Sequence, residues 1–130
     1  LNERLSFLKY EPGHFFAPHE DSSYQREDGS GERSYLTVLV YLTDPRSCAG
    51  EDSEGGSTRF ISPTCPQVAR TGRCDGDCDQ CVDASVGEGS ILVFAHELTH
   101  AGTLMRSGEK VVMRTDVMYT APSLAARAEC

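Results

Sequence analysis

The 130-residue sequence has no apolar run approaching the roughly 18 residues that a membrane-spanning helix requires, so no membrane segment is expected. Its first residues, Leu1-Asn2-Glu3-Arg4, lack the charged, apolar, small-residue order of a signal peptide. An initiator methionine is missing as well, so the expectation is a mature or excised piece from which targeting information has been removed. Basic residues are scarce: 12 Lys+Arg stand against 20 Asp+Glu, a formal net charge of -8. Phosphate neutralisation needs clustered Lys and Arg, which argues against nucleic acid as the main partner. A basic peptide or a small metabolite suits the charge better. The 12 Gly and 6 Pro are too few and too aperiodic for collagen or a linker. There are no internal repeats and no strong amphipathic helix.

What is present is one domain, residues 1–130, with 38% hydrophobic and 25% charged residues. A domain of this size buries roughly two-thirds of its unfolded surface, enough for a real core. Residues 5–10 have strand-type content and end at the turn Glu11-Pro12-Gly13. Residues 15–21 form a second short extended segment, and 22–34 read as a loop. The clearest strand is 34–42, Ser34-Tyr35-Leu36-Thr37-Val38-Leu39-Val40-Tyr41-Leu42, which has almost no polar interruption and is expected to be buried on both faces. Further strands are expected at 57–61, 90–95 and 110–119, the last ended by Pro122. The tail at 124–129 has only local helical propensity. Short strands separated by turns predict an all-β sandwich or barrel.

Residues 62–89 show no periodicity and read as a long insertion, which needs cross-linking or metal to be ordered. It holds Cys65, Cys74, Cys78 and Cys81, four of the six cysteines; Cys48 and Cys130 lie outside it. Three readings stay open: disulfides in an oxidising compartment, a structural zinc site with Cys65, Cys48 or Cys130 as the fourth ligand, or free surface thiols. Asp75, Asp77 and Asp79 sit beside the thiols and oppose thiolate formation until a cation arrives. In each case the role is structural and the cluster is expected to lie far from any catalytic centre.

Two histidine patterns compete. His96-Glu97-Leu98-Thr99-His100 fits H-E-x-x-H, which binds zinc only when both histidines share a helix face. The preceding residues 91–94 are strand-like and Gly102 follows closely, which decides against a zinc protease. His19-Glu20-Asp21 offers a histidine and a carboxylate at alternate positions; an extended backbone puts both on one face and Glu20 on the other. With one distant histidine they would make the two-His-one-carboxylate set that holds non-haem Fe(II) and leaves open positions on the ion.

The segment Tyr10-Glu11-Pro12-Gly13-His14-Phe15-Phe16-Ala17-Pro18-His19-Glu20-Asp21 resembles the iron-binding strand of the prolyl 4-hydroxylase-like 2-oxoglutarate/Fe(II)-dependent dioxygenases. Residues 35–42 resemble the next core strand, and Glu54-Gly55-Gly56-Ser57-Thr58-Arg59-Phe60 resembles the family's E-G-G-x-T-x-F segment. Residues 89–94 with Leu98-Thr99-His100-Ala101-Gly102 resemble the strand and loop that deliver the distal histidine, and residues from Ser107 onward the strand with the basic residue for 2-oxoglutarate. The likeness spans about 5–120. It departs at the cysteine-rich insertion and at Ala101, where the family often has Glu or Gly, and the family's N-terminal supporting helices are largely absent.

The resemblance implies a double-stranded β-helix, or jelly roll, with His19, Asp21 and His100 holding Fe(II). It implies 2-oxoglutarate bound through Lys110 first and Arg114 second, with Tyr41, Thr37 and Tyr10 nearby. Lys110 and Arg114, at i and i+4 of one strand, share a face. His96 is then a hydrogen-bonded histidine at the surface or behind the ligands, and His14 a turn residue. The implied activity consumes O2 and 2-oxoglutarate, releases succinate and CO2, and hydroxylates a protein or small-molecule substrate. Prolyl residues of a protein suit the subfamily. A non-enzymatic jelly-roll or zinc-stabilised interaction module is the alternative. The compartment reading favours the cytoplasm, or an oxidising compartment if the cysteines are disulfide-bonded, and the oligomeric state stays open.

Overall fold

A computed structural model describes residues 1–43 and 55–120. Glu54, Cys48, Cys130, Pro122 and the tail at 124–129 therefore lie outside the described residues. The chain runs β1 (Ser6–Tyr10), β2 (Phe16–His19), β3 (Arg33–Tyr41), β4 (Thr58–Phe60), α1 (Pro66–Thr71), β5 (Val82–Asp83), β6 (Ile91–Ala95), β7 (His100–Gly102) and β8 (Lys110–Tyr119). The strands form two four-stranded antiparallel sheets, β1-β8-β3-β6 and β2-β7-β4-β5. Side chains of both sheets line one cleft between them, which is the arrangement of a jelly-roll core.

The long strands are those with the densest β-branched and aromatic content, because such side chains pack well on a pleated surface. β3 is central in its sheet: Val38 faces Thr115 on β8 and Val93 on β6. Its expected burial on both faces holds only in its second half. Arg33 and Tyr35 are exposed, since the sheet's outer face at that end meets solvent. Leu39, Tyr41, Phe94 and Val112 form the core between the sheets, with Leu8, Tyr10 and Phe60 packed against it. Burying each large apolar side chain stabilises the fold by roughly 1.5–3 kcal/mol. Phe60 and Phe94 meet edge to face at 5.3 Å and join the two sheets.

Three expectations are corrected. The insertion is not irregular throughout: it contains α1, started by Pro66 and ended by Gly72 in the left-handed region at φ 73°. It also rejoins the sheet earlier than Ser90, because β5 pairs with β4 through Arg59–Asp83 and Phe60–Val82. Finally, His100 begins strand β7 instead of lying in a loop. Among the described residues no helix is long and apolar enough to cross a membrane.

Candidate metal and co-substrate site

His19 and His100 are directly opposite each other in the β2–β7 ladder. That register places their rings 4.3 Å apart, centroid to centroid. Each ring makes the same local bond. His19 Nδ1 lies 2.8 Å from the Ala17 carbonyl and His100 Nδ1 lies 2.9 Å from the Leu98 carbonyl. A carbonyl can only accept, so both Nδ1 atoms carry a proton, and in the neutral ring that leaves the Nε2 lone pair free for a metal. The Asp21 carboxylate completes the group: Oδ1 is 3.6 Å from His19 Nε2, and Oδ2 is 3.7 Å from His100 Nε2. One ligand atom from each residue lies within 4.8 Å of the others. Two ring nitrogens with free lone pairs and one acceptor-only carboxylate fit a divalent iron ion.

Asp21 is held from three sides. Its backbone N–H donates to His96 O at 2.9 Å, the Thr37 hydroxyl donates to Oδ2, and Arg114 Nη2 lies 3.0 Å from Oδ1. Glu20 points the other way, exposed and 3.4 Å from the Thr99 hydroxyl, as alternation in an extended backbone requires. His100 is buried, and that burial pushes its pKa below the ordinary value of 6.5. A neutral imidazole is the form that binds metal.

The cleft continues from these residues to Lys110, one of the chain's two lysines, which is 3% exposed. Its ammonium donates to the Gly56 carbonyl at 2.7 Å and lies 3.4 Å from Thr58 Oγ1. The rings of Tyr10 and Tyr41 flank it, at 5.2 and 5.5 Å from their centroids. The Tyr41 hydroxyl meets Thr58 Oγ1 at 2.6 Å. Desolvation alone pulls the Lys110 pKa down to about 8. A buried ammonium with hydroxyls around it and apolar Leu8, Leu39 and Val112 beside it is a receptor for a carboxylate. Thr58 was not singled out in the sequence; its β4 position opposite Gly102 is what aims it here.

His19, Asp21 and Arg114 also line a second cleft, with Arg4, Tyr24 and Asp116, which Lys110 does not reach. The ligand group thus stands where two clefts meet. Thr37 serves the metal end of the first cleft, through Asp21, and Tyr41 and Tyr10 the lysine end.

His96 does not join the group. Residues 96–98 form a turn, with Leu98 N–H bonded to Ala95 O, so the H-E-x-x-H spacing never becomes helical. His96 is 6% exposed and 3.5 Å from Asp116, so of its two expected places it takes the buried one; the expected hydrogen bond is corrected, because neither ring nitrogen has a hydrogen-bond partner among the described residues. His14 is exposed in the turn, where its ring accepts the Glu11 N–H.

The four insertion cysteines are free thiols whose Sγ atoms all lie within 4.8 Å of one another. The Cys65 thiol is held down, to about 7, by the Val68 backbone N–H facing it, whereas burial pushes Cys81 up to about 12. The cluster packs on Ile61 and Ala101. Its expected remoteness is corrected, because Ala101 is the immediate neighbour of His100.

The sequence matches the 2OG-Fe(II) oxygenase superfamily over residues 5–115. The chain belongs to that superfamily. No curated protein matches it significantly in sequence. Its fold is similar to a Pseudomonas putida prolyl-4-hydroxylase, at 20% identity and TM-score 0.53, covering 85% of this chain and 49% of that one. It is similar to a viral collagen prolyl hydroxylase from Paramecium Bursaria Chlorella virus-1 in complex with 2OG, at 21% identity and TM-score 0.54, covering 91% and 61%. HygX from Streptomyces hygroscopicus, with nickel, 2-oxoglutarate and hygromycin B bound, gives 17% identity and TM-score 0.56, covering 92% and 57%. The chain thus spans about half to three-fifths of the length of these solved relatives. The cofactors that go with the superfamily are Fe(II) and 2-oxoglutarate, and the donor set described above suits both.

Proposed function

We propose that this chain is the catalytic core of a 2-oxoglutarate- and Fe(II)-dependent dioxygenase that hydroxylates its substrate, with prolyl residues of a peptide as the first substrate class to test. The observation that carries the reading is the convergence of His19 Nε2, His100 Nε2 and the Asp21 carboxylate at the junction of two clefts, one of them lined by buried Lys110. Bound Fe(II) with 2-oxoglutarate would supply the O2 chemistry that yields succinate, CO2 and hydroxylated substrate.

The chain's own residues set the conditions. The Ala17 and Leu98 carbonyls fix the two histidine tautomers. Thr37 and Arg114 orient the Asp21 carboxylate. Lys110 binds the distal carboxylate of 2-oxoglutarate, with the Thr58 and Tyr41 hydroxyls as further partners. Leu8, Leu39, Phe94 and Val112 keep water from that ion pair, which strengthens it. The second cleft, beside Arg114 and Tyr24, takes the substrate.

Prolyl specificity draws on the two prolyl hydroxylases among the similar folds. The aminoglycoside-bound fold supports a cationic small molecule as the competing substrate, and the charge of -8 suits one. The experiment is succinate formation from 2-oxoglutarate with and without Fe(II), over proline-containing peptides and an aminoglycoside. Iron-dependent turnover stimulated by the peptides is expected. Stimulation by the aminoglycoside alone moves the substrate class, and no iron-dependent succinate under any condition rejects the enzyme reading.

A further inference from the structure

We propose that Cys65, Cys74, Cys78 and Cys81 bind one Zn(II) ion in a closed four-thiolate site that holds strand β7 in place from behind. The geometry comes first. A regular tetrahedron with Zn–S of about 2.3 Å puts its sulfurs about 3.8 Å apart. The Cys65 and Cys78 sulfurs are 3.8 Å apart, and all four lie within 4.8 Å of one another. Two disulfides would instead draw two sulfur pairs to about 2 Å. Four thiolates fill a tetrahedral ion and leave no open position, which makes the site structural.

The surroundings suit such an ion. Binding releases the thiol protons and leaves a net negative ZnS4 group. Arg59 stands beside it, with Nη1 3.6 Å from Cys74 Sγ and also donating to the carbonyls of Cys74 and Gly76. The three aspartates between the ligands do not crowd the sulfurs. Asp77 and Asp79 are exposed, and Asp75 Oδ1 accepts the Leu104 N–H at 3.1 Å. Cys65 and Cys74 are each only 2% exposed, packed with Ile61 and Ala101.

These contacts grip β7 at three places. The Ile61 N–H bonds the Thr99 carbonyl at 2.9 Å before the strand, and Asp75 bonds Leu104 after it. Ala101 packs on the cysteines from the middle. In a strand, adjacent side chains point to opposite faces, so the orientation that turns Ala101 towards the sulfurs on one face turns His100 towards Asp21 on the other. The small side chain of Ala101 lets the cysteines pack directly against the strand. The link to iron binding rests on the reading of His100 given above; the zinc site does not.

The test uses the full chain as purified. Metal analysis and native mass spectrometry should give one zinc per chain, retained through chelation that strips iron. Thiol counting in denaturant should find Cys65, Cys74, Cys78 and Cys81 reduced. Cobalt exchanged into the site should show thiolate-to-metal charge-transfer absorption, and Cys78→Ser should lose at least tenfold in zinc affinity while Cys130→Ser keeps it. Removing zinc from the wild-type chain with a thiol reagent should raise amide exchange at 99–104 and leave β3 and β8 protected. That measurement stands where Cys78→Ser does not fold. Absent zinc with two disulfides, or iron on the thiolates, overturns the site. Zinc whose removal leaves 99–104 unchanged overturns its supporting role. Neither result touches the iron reading, which is checked separately by metal binding to His100→Ala.

Discussion

Lys110 and Arg114 share one face of β8, yet Lys110 is 3% exposed among tyrosines while the half-open Arg114 lies 3.0 Å from Asp21. The i, i+4 spacing alone cannot separate their roles, because both project into the same cleft. Their surroundings separate them: Arg114 already has a carboxylate partner, and Lys110 has none among the described residues. Lys110→Ala should therefore weaken 2-oxoglutarate binding by roughly 30-fold or more, the effect of losing about 2 kcal/mol or more from a desolvated charge pair. Arg114→Gln should leave it within severalfold. Calorimetric titration of 2-oxoglutarate into anaerobic, Mn(II)-loaded protein measures both, and the reverse order would make Arg114 the anchor.

The same lysine gives 2-oxoglutarate binding a pH dependence. Burial disfavours the ammonium and brings Lys110 from 10.5 to about 8, so in the free protein it loses its proton as pH rises through 8. Affinity should be level below about pH 7 and fall up to tenfold per unit well above 8. Tyr10 and Tyr41, the titratable groups facing Lys110, are raised above 10.0 by burial and stay neutral throughout. The stability effect has the opposite sense: below about 8 the native state holds a charged, desolvated lysine, a cost of about 3 kcal/mol that is relieved as pH climbs towards 10.5. Lys110→Met should make the apoprotein more stable at pH 7 by an amount of that order, measured by urea unfolding. A destabilised Lys110→Met would mean that the bond to Gly56 outweighs the burial.

His100→Ala should abolish Mn(II) binding at the His19–Asp21–His100 site, whereas His96→Ala should keep affinity within severalfold, because the turn at 96–98 presents only His100 to Asp21. Thr37→Val, which keeps shape but removes the hydroxyl bonded to Asp21, should cost about 10–100-fold in metal affinity. Calorimetry with Mn(II) reports all three. Equal loss in the His96 and His100 variants would restore the paired-histidine reading of H-E-x-x-H.

Much of the site was legible because its spacing is local. His19 and Asp21 share a face through strand alternation, and the strand-like residues before His96 exclude a helix. The β-branched and aromatic runs gave the long strands for the same reason. What escaped was set by tertiary pairing. Nothing local marks Thr58 as a neighbour of Lys110; only the β4–β7 register brings it there. The burial of His96 against Asp116 follows from the turn after β6, which brings the ring to β8 past the intervening β3. The short helix α1 has six residues and no buried side chain, so it lacks the apolar periodicity by which a helix is recognised. Ala101 read as a departure from a pattern because the cysteines that pack on it are separated from it by at least twenty residues of chain.

The paired glycines before β4 yield the last prediction. Gly55 has φ +94° and Gly13 has φ +92°, so a side chain at either position meets almost the same backbone strain. Their surroundings differ. A Cβ on Gly13 would meet nothing within 4 Å, whereas one on Gly55 would lie 1.8 Å from the Leu104 carbonyl oxygen, a backbone atom in the loop after β7. Gly13→Ala should therefore cost about 1–2 kcal/mol, the penalty of the left-handed region alone. Gly55→Ala should cost several kcal/mol more, because the overlap can be relieved only by moving 104 away from Asp75 or 55–56 away from Lys110. Urea unfolding of the two variants side by side isolates the overlap from the strain. Equal losses would show that this loop yields freely, and that the glycine at 55 serves conformation instead of close approach.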